Sequence, residues 1–347
     1  MQTFEKSKAI SDKIWAEIEV SPNQFRMLTG DRPTGKLHLG HYFGTLKGRV
    51  ELQNKGIETL ILIADYQVIT DRDSAGEIRE NVYGLLADYL AAGIDPAKTI
   101  IFTHSAIPEL NQLLLPFLSL VTEGELSRNP TVKAEHEASG RKSLSGLLLT
   151  YPVHQAADIL FCKANIVPVG KDQLPHVELT RLIARRFNEK YAKVFPEPFG
   201  LLSETPEILG LDGRKMSKSY NNSIELSMTA DETKKRILKA VTDAERVITY
   251  DPVNRPNVAT LLTLASLATG KTPSEIADEI GDAGGFQLKT VTYAAINDYF
   301  AAHRAKRAEL IANKDYLHSV LANGNERARA IATQTLDEVR SSMGMVY

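Results

Sequence analysis

Two histidines, His38 and His41, stand in a glycine-containing turn near the start of the chain. The short apolar run 25–28 before the turn predicts a buried strand, and the pattern from about Gly40 to Gly56 after it predicts a helix. A helix N-terminus carries unpaired N–H groups and about half a positive charge, so it suits a phosphate, to which imidazoles can also donate. The turn therefore favours a nucleotide phosphate site, although two histidines at this spacing also suit a metal pair or a helix cap.

Two lysines, Lys215 and Lys218, stand in a second polar segment that begins at Gly213. Two ammonium groups on a glycine-bounded loop can close over a triphosphate and neutralise the charge that develops on departing pyrophosphate. Met216, between the two lysines, can bury its side chain and anchor the loop. The alternative is a solvated basic loop, which is what most segments rich in lysine and serine are.

Three polar residues share one face of an otherwise apolar predicted helix. Tyr151, Gln155 and Asp158 are spaced by four and three residues, and residues at that spacing are neighbours on a helix surface. A carboxylate among apolar side chains is either paired inside the protein or available to a ligand, and we favour the ligand. A strand is predicted at 166–170, and the polar run 171–173 directly after it contains a carboxylate suited to ribose hydroxyls.

Apolar runs and turn signals alternate through the rest of the first part of the chain. Runs at 57–64 and 99–103 predict strands covered on both faces, and the helix between them begins at a capping box in 74–77 and ends at Gly93. This spacing predicts an α/β fold with a Rossmann-like, doubly wound parallel sheet, whose ligands lie beyond the carboxyl ends of the strands. The expected parts are a catalytic domain at 1–205, a mobile loop at 206–222 and a C-terminal α-helical domain at 223–347, whose last helices can pack back on the catalytic domain.

The segment 127–146 interrupts this alternation with polar residues and carries Pro130 and Gly140. A long polar stretch inside a compact domain is typical either of a mobile surface loop or of part of a site, and the sequence leaves both open. The C-terminal helical region carries basic residues that suit either a modest face for RNA or a solvated helix surface. These are Arg304, Lys306, Arg307, Arg327 and Arg329.

Composition excludes several classes of protein. The 347 residues carry a formal net charge of -2, which excludes a protein that holds nucleic acid by bulk positive charge. The single cysteine, Cys162, excludes a disulfide framework and a cysteine metal site, and its apolar neighbours predict that it is buried. The chain has no apolar run long enough for a membrane span, and acidic residues near its start do not suit a targeting peptide. We therefore expect a cytoplasmic protein.

The histidine and lysine segments together resemble the two signature motifs of class I aminoacyl-tRNA synthetases. His38-Leu39-Gly40-His41 resembles the HIGH motif, and Lys215-Met216-Ser217-Lys218-Ser219 matches the KMSKS motif in full. Over nearly its whole length the chain is further similar to the tryptophanyl-tRNA synthetases of that family. The stretches that carry this similarity are 30–35, 151–158, 167–173 and 178–181.

The resemblance implies an ATP-dependent, AMP-forming ligase that works as a homodimer, uses ATP with Mg²⁺ and has no protein-bound metal. Such an enzyme activates tryptophan to tryptophanyl-adenylate with release of pyrophosphate, and then charges tRNA-Trp. Catalytic roles are implied for His38, His41, Lys215 and Lys218. The implied ATP contacts are Arg32, Pro33, Thr34, Gly40, His41, Gly170, Lys171, Asp172, Ile208, Lys215, Met216, Ser217, Lys218 and Ser219.

The resemblance also implies how the amino acid is held. Asp158 matches the carboxylate that accepts the indole N–H, and Tyr151 and Gln173 match groups at the α-amino end. Gln155, on the same helix face as Tyr151 and Asp158, is the fourth amino-acid contact. Many relatives have methionine where this chain has Gln155 and glutamine where it has Arg32. The family's lysine on the mid-chain segment has two competing counterparts, Lys133 and Arg141. These departures indicate a divergent branch.

Three other functions stay open on the residues alone. Tyrosyl-tRNA synthetases share the architecture, and a phenol O–H donates to a carboxylate as well as an indole N–H does. A nucleotidylyltransferase shares the His-x-Gly-His turn, but the intact lysine motif and the helical C-terminal region argue against it. A non-catalytic synthetase-like RNA-binding protein typically loses motif residues, and here both motifs are whole.

Overall fold

The computed structural model describes residues 4–69, 77–140, 142–202, 208–217 and 220–347. The strands are β1 (Arg26–Asp31), β2 (Glu58–Ile63), β3 (Thr99–Thr103), β4 (Ile166–Val169) and β5 (Phe199–Leu202). The helices are α1 (Phe4–Val20), α2 (Leu39–His41), α3 (Lys47–Asn54), α4 (Ile78–Ala92), α5 (Pro108–Gln112), α6 (Leu114–Leu118), α7 (Glu123–Ser127), α8 (Pro130–Ser139), α9 (Gly146–Leu160), α10 (Leu174–Lys190), α11 (Ala230–Leu238), α12 (Pro256–Thr269), α13 (Pro273–Ile280), α14 (Gly284–Tyr299), α15 (Ala301–Ala312) and α16 (Lys314–Ser342).

The five strands form one parallel sheet in the order β3-β2-β1-β4-β5. The chain runs outward from β1 to β2 and β3, and then returns to build β4 and β5 on the other side of β1. The strand order therefore reverses between β1 and β4, which is the place where open α/β sheets bind their ligands. The Rossmann-like fold expected from the sequence is confirmed, and after β5 the described part of the chain forms helices.

Alternate side chains of the buried strands supply the two faces of the core. Ile61 and Ile63 of β2 pack in a cluster with α4 and helices of the C-terminal region. Leu60 and Leu62 point the other way, into a cluster with α9, α10 and α16. Successive side chains of a strand point to opposite faces, and this explains why β2 needs apolar residues at every position.

The last helix, α16, lies along the edge strand β3. The backbone N–H of Thr103 donates to Oδ1 of Asn325 at 3.0 Å, and Thr335 Oγ1 donates to the Phe161 carbonyl at 2.6 Å. A Cβ atom at Gly324 would overlap the carbonyl oxygen of Ile101, so the close approach of helix and strand requires glycine there. The helix thus covers an edge that would otherwise present unpaired backbone groups. The domain boundaries at 205 and 222 stay predictions.

The structure corrects several details of the prediction. The first strand does not end at residue 28, because Thr29, Gly30 and Asp31 continue it. The segment 127–146 is not a long loop: it contains α8, which begins where Asn129 Oδ1 accepts the Thr131 N–H at 2.9 Å. The short strand β5 was not predicted. Residues 74–76 of the predicted capping box, Arg141, 206–207 of the predicted mobile loop, Lys218 and Ser219 lie outside the described residues.

Two expectations from composition can be compared with the structure. Cys162 is wholly buried, as predicted, and burial raises the pKa of its thiol to about 12. Among the described residues, none of the helices combines the length and the apolar character needed to traverse a bilayer. The cytoplasmic location stays a prediction.

Candidate active site

A cavity of about 270 Å³ lies at the carboxyl ends of β1 and β4. All four predicted amino-acid contacts line it, and so does Arg32 from the predicted ATP loop. The four contacts are Tyr151, Gln155, Asp158 and Gln173. Five further polar residues line the cavity and were not predicted as contacts: Thr29, Asp31, Gln67, Glu135 and His176. The structure therefore brings the predicted amino-acid residues into one place, beside the point where the strand order reverses.

Helix α9 presents Tyr151, Gln155 and Asp158 to the cavity. The helix begins at Ser145, whose Oγ accepts the Leu148 N–H at 3.1 Å. Its apolar residues, such as Val153 and Leu160, are buried in the core, which leaves the polar face toward the cavity. The core packing of α9 thus sets the direction in which the predicted site residues point.

Asp158 has a partner inside the protein. His104, which follows β3, lies with Nε2 2.7 Å from Asp158 Oδ1, and both side chains are buried. Among the described residues, the second oxygen, Oδ2, has a single long contact of 3.5 Å with Gln67 Nε2. The sequence favoured a carboxylate awaiting a ligand. The structure instead commits one oxygen to His104 and leaves the other with capacity to accept a further donor.

One wall of the cavity contains Tyr151, His176 and Glu135. The Tyr151 hydroxyl lies 3.2 Å from His176 Nε2. Burial lowers the pKa of His176 to about 4, against a smaller opposing effect of Asp172, so this imidazole is neutral at pH 7. Burial, reinforced by Glu135, raises the pKa of Tyr151, so its hydroxyl keeps its proton. This wall offers uncharged hydrogen-bonding groups beside one carboxylate, which suits an ammonium group.

Asp31, at the end of β1, lines the cavity and belongs to a charge network with Arg49 and Tyr89. Arg49 Nη1 donates to Asp31 Oδ2 at 2.5 Å, and the Tyr89 hydroxyl donates to the same oxygen at 2.5 Å. Burial by itself would raise the pKa of Asp31, but the Arg49 charge and the hydrogen bonds from Arg49 and Tyr89 outweigh it and lower the pKa to about 2. Asp31 is therefore ionised at pH 7 and ties β1 to α3 and α4.

The two motifs that the sequence singled out meet at the start of α2. The backbone N–H of Gly40 donates to Met216 Sδ at 3.4 Å. The segment after the second motif also pairs with the turn, because Leu39 N–H donates to the Ile224 carbonyl and Leu226 N–H donates to the Leu37 carbonyl, both at 2.9 Å. Met216 is buried, so it anchors the loop as predicted from its side chain, while Lys215 is exposed.

The histidines of the first motif touch one another. Their ring centroids lie 3.7 Å apart, and the backbone N–H of His38 donates to Nδ1 of His41 at 3.1 Å. Since Nδ1 of His41 accepts this bond, it carries no proton, and a neutral His41 ring then carries its proton on Nε2. A π-helical turn, Tyr42–Leu46, follows and joins α2 to α3. Such turns inside helices are frequent at functional sites.

Asn222, which the sequence did not single out, holds the backbone of the second motif. Its Nδ2 donates to the Lys215 carbonyl at 3.1 Å and to Asp212 Oδ1 at 2.7 Å, while its Oδ1 accepts the Ser217 N–H at 2.8 Å. The side chain is buried, and a Cβ atom at Gly210 would overlap it. One amide therefore fixes the loop on both sides of Met216. An asparagine a few residues after a lysine-rich loop is the signal that could have indicated it, because asparagine bonds local backbone groups.

The other predicted ATP contacts that the structure describes, apart from Arg32, do not line the cavity. Pro33 and Ile208 are buried, Thr34 belongs to the turn after β1, and Gly170 and Asp172 are exposed at the end of β4. Lys171 lies over the ring of Phe4, with Nζ 4.5 Å from the centroid.

Four of the five basic residues singled out in the C-terminal helices contact other segments of the chain. Arg307 Nε donates to buried Asp88 at 2.6 Å, and Arg329 Nε donates to Glu109 at 2.9 Å. Arg304 bonds the Met228 carbonyl, and Arg327 bonds the Pro96 carbonyl. These side chains therefore tie helices to neighbouring segments.

Comparison with known proteins finds similarity to tryptophan--tRNA ligases over almost the whole chain. The chain is 40% identical to the tryptophan--tRNA ligase of Lactococcus lactis over 335 residues, which are 92% of this chain and 98% of that protein. It is 38% identical to the tryptophan--tRNA ligase of Thermotoga maritima over 327 residues, which are 93% of this chain and 100% of that protein.

Comparison with solved structures also finds aminoacyl-tRNA synthetases. Tryptophanyl-tRNA synthetase from Campylobacter jejuni, complexed with ADP and tryptophan, has a TM-score of 0.82 and 32% identity, with 92% of this chain and 99% of that chain covered. The tyrosyl-tRNA synthetase of Archaeoglobus fulgidus, at 23% identity and a TM-score of 0.63, shares the fold. The sequence profile of the class I tRNA synthetases for tryptophan and tyrosine (W and Y) matches residues 21–301. The chain belongs to this family of class I aminoacyl-tRNA synthetases.

Proposed function

We propose that the chain is a tryptophan--tRNA ligase. In the first step, an oxygen of the tryptophan carboxylate bonds to the α-phosphorus of ATP. The bond from that phosphorus to the β-bridging oxygen breaks, and the electron pair leaves with pyrophosphate. In the second step, a hydroxyl of the terminal ribose of tRNA-Trp attacks the carbonyl carbon of tryptophanyl-adenylate and AMP leaves. The observation that carries this proposal is the placement of an amino-acid-sized cavity beside the junction of the two motifs.

The choice of tryptophan rests on the relatives and on the cavity. Curated relatives near 40% identity over almost the whole chain are tryptophan--tRNA ligases. The cavity lining includes Asp158, which can accept an indole N–H on Oδ2, and the apolar residues Leu28 and Val167. Glu135, Tyr151 and Gln173, also in the lining, suit the α-ammonium group.

The ATP end uses the first turn and the second motif. The N-terminus of the helix that begins at Leu39, with Nε2–H of His41, faces the triphosphate. Lys215 and Lys218 neutralise the charge that develops on pyrophosphate, and Asp172 receives the ribose. The carboxylate of the substrate is already a nucleophile, so no general base is required. Catalysis then depends on positioning and on electrostatic stabilisation of the phosphoryl oxygens.

Mg²⁺ enters with ATP as part of the substrate. Histidine, lysine and methionine side chains make up the described junction of His38, His41, Lys215 and Met216, and none of these four offers the carboxylate oxygens that Mg²⁺ prefers. In this proposal the phosphate oxygens and water therefore carry the ion. The cationic groups of the chain act on the phosphates directly.

The remaining parts of the proposal concern partners. We assign residues 1–205 to catalysis, 206–222 to the loop that closes on ATP, and 223–347 to the anticodon side of tRNA-Trp. A homodimer, in which tRNA crosses from one subunit to the other, completes the assembly. Sedimentation analysis of the full chain tests the dimer.

ATP–pyrophosphate exchange with each amino acid in turn tests the function. We expect exchange with tryptophan, followed by acylation of tRNA-Trp. Exchange with tyrosine alone would instead identify a tyrosine--tRNA ligase, and exchange with no amino acid would support a nucleotidylyltransferase or a non-catalytic protein. Asp158→Ala should raise the KM for tryptophan, and unchanged selectivity among aromatic amino acids in this variant would show that Asp158 does not select tryptophan.

A further inference from the structure

We propose that His104 is a positioning residue that aims Asp158 at the substrate. Its Nε2–H holds Oδ1 of Asp158 on the side away from the cavity, so that Oδ2 is presented to the indole N–H of tryptophan. This inference rests on the proposed function, and it adds a determinant of tryptophan binding that does not itself touch the substrate.

The two oxygens of Asp158 have different surroundings. Gln67, which contacts Oδ2, lines the cavity, whereas His104, which contacts Oδ1, does not. The side chains of His104 and Asp158 are 0% and 3% exposed, so water competes little for their bond. A hydrogen bond to a buried carboxylate fixes the orientation of that carboxylate. If the carboxylate rotated away, the bond to His104 would break and a buried polar group would be left without a partner.

The partners of His104 define its tautomer. An ionised carboxylate only accepts, so Nε2 of His104 must carry a proton. Nδ1 of His104 is buried and has no hydrogen-bond partner among the described residues. A proton on Nδ1 would be an unmatched buried donor, so the tautomer with the proton on Nε2 is favoured. The ring also stacks on Tyr66 at 16° and a centroid distance of 6.2 Å, which limits its rotation.

The same cluster has the composition of a metal site. Ligand atoms of His104, His154 and Asp158 lie within 4.8 Å of one another. However, His154 Nε2 lies 2.7 Å from Asn111 Oδ1, and His104 Nε2 is already committed to Asp158. Hydrogen bonds therefore account for the Nε2 atoms of both imidazoles, and a metal on Asp158 would compete with the indole N–H. We favour the positioning role over a metal centre.

Three variants of residue 104 test the role. His104→Leu removes the donor and keeps an apolar side chain of similar volume. His104→Gln keeps an N–H at nearly the reach of Nε2, whereas His104→Asn is one bond too short. In ATP–pyrophosphate exchange we expect the KM for tryptophan to rise about ten- to a hundredfold in the Leu and Asn variants, the size of a lost hydrogen bond to a charged group. The KM for ATP should stay unchanged, and the Gln variant should recover most of the loss.

His154→Leu is the matched control, because it makes the same change on the neighbouring ring, 4.7 Å away, which bonds Asn111 rather than Asp158. Its KM for tryptophan should stay close to that of the unmodified chain. If a thermal melt shows that the His104→Leu variant is not folded, the tryptophan KM values of the His104→Gln and His104→Asn variants test the role of His104 instead. If the Gln and Asn variants had equal KM values for tryptophan, or if the KM for ATP rose as much as the KM for tryptophan, His104 would have only a structural role.

Two further outcomes separate the proposals. If the unmodified chain does not exchange with tryptophan, the proposed function fails before His104 is considered. If Asp158→Asn raises the tryptophan KM while His104→Leu does not, only the role of His104 fails. Metal analysis of the purified chain should find no stoichiometric ion. If the unmodified chain contained zinc, and if the zinc were absent from both the His104→Leu and the His154→Leu variants, the cluster would be a metal centre and the hydrogen-bond assignment would be wrong.

Discussion

Gly40 and Met216, 176 residues apart in sequence, are joined by a hydrogen bond from a backbone N–H to a thioether sulfur at 3.4 Å. Gly40 lies in α2, the first turn of the helix at the proposed triphosphate site, and Met216 lies between the two lysines of the second motif. The thioether is a weak acceptor, so this contact holds the loop less firmly than a carbonyl would. A loop that must move during the reaction benefits from such an anchor.

Replacement of Met216 should therefore slow activation more than it weakens amino-acid binding. Met216→Ala removes a buried side chain, and we expect the rate of adenylate formation to fall about ten- to thirtyfold, with the KM for tryptophan almost unchanged. Met216→Leu should show a smaller loss, because it keeps the packing and loses only the acceptor. Single-turnover ATP consumption measures the rate of adenylate formation in both variants. Met345→Ala, at an exposed methionine, serves as the control, and a fall confined to tryptophan affinity would contradict the anchoring role.

Asn222 should behave as a support of the same loop. Asn222→Ala deletes three hydrogen bonds around Lys215 and Ser217, and we expect a drop in kcat of about tenfold or more. Asn222→Asp keeps the acceptor for the Ser217 N–H but sets a carboxylate against Asp212, so it should be at least as damaging. Steady-state exchange checks this. Asn254→Ala is the control, since Asn254 also bonds an aspartate but lies in an exposed loop; equal effects at both positions would argue against a specific role.

Lys218→Ala should lower the activation rate much more than ground-state tryptophan binding. The reason is its proposed contact with pyrophosphate, whose charge develops late in the reaction. Rapid-quench measurement of adenylate formation, combined with tryptophan binding by fluorescence, separates the two effects. Lys193→Ala supplies a control at a distant exposed lysine. A loss that appeared wholly in tryptophan affinity would show that the assigned role is wrong.

Asp31→Asn should destabilise the fold in a pH-dependent way. The pKa of Asp31 falls from 3.8 to about 2 on folding, because the Arg49 and Tyr89 contacts outweigh burial, and this corresponds to about 2 kcal/mol of stability at pH 7. A lowered folded-state pKa contributes stability that is present above pH 4 and is lost as the pH falls toward 2. Urea unfolding should thus show a larger difference between variant and unmodified chain at pH 7 than at pH 3.

Glu58→Gln is the control for that experiment, because the Arg26–Glu58 pair at 2.8 Å is far more exposed. An exposed pair contributes about 0–1 kcal/mol, so its removal should change stability little at either pH. A difference for Asp31→Asn that stayed constant from pH 7 to pH 3 would contradict the assigned pKa.

The sequence predicted well those elements that its apolar residues define. Strands β2 and β3 are nearly continuous apolar runs, and the face of α9 follows from the spacing of Tyr151, Gln155 and Asp158. Helix α8 was missed because only Val132 of its described residues is fully buried, so hydrophobic periodicity gave almost no signal. The Asn129-Pro130 start of that helix was the available signal, since asparagine caps and proline suits the first turn.

The partners of Asp158 could not be deduced from local pattern. Gln67 follows β2 and His104 follows β3, and both lie far from Asp158 along the chain. The rule that carboxyl ends of parallel strands share one edge would have placed them in the region of the site. The bond between His104 and Asp158, however, depends on the packing of α9 against the sheet, which only the structure shows.

The contact between Gly324 and Ile101 has a consequence for synthesis of the chain. Residue 101 leaves the ribosome long before residue 324, so the outer side of β3 has to wait, uncovered, until about two hundred further residues have been translated. An unprotected strand of this kind can pair with another chain. A nascent chain halted before α16 should therefore be the species in which this protein is most prone to aggregate.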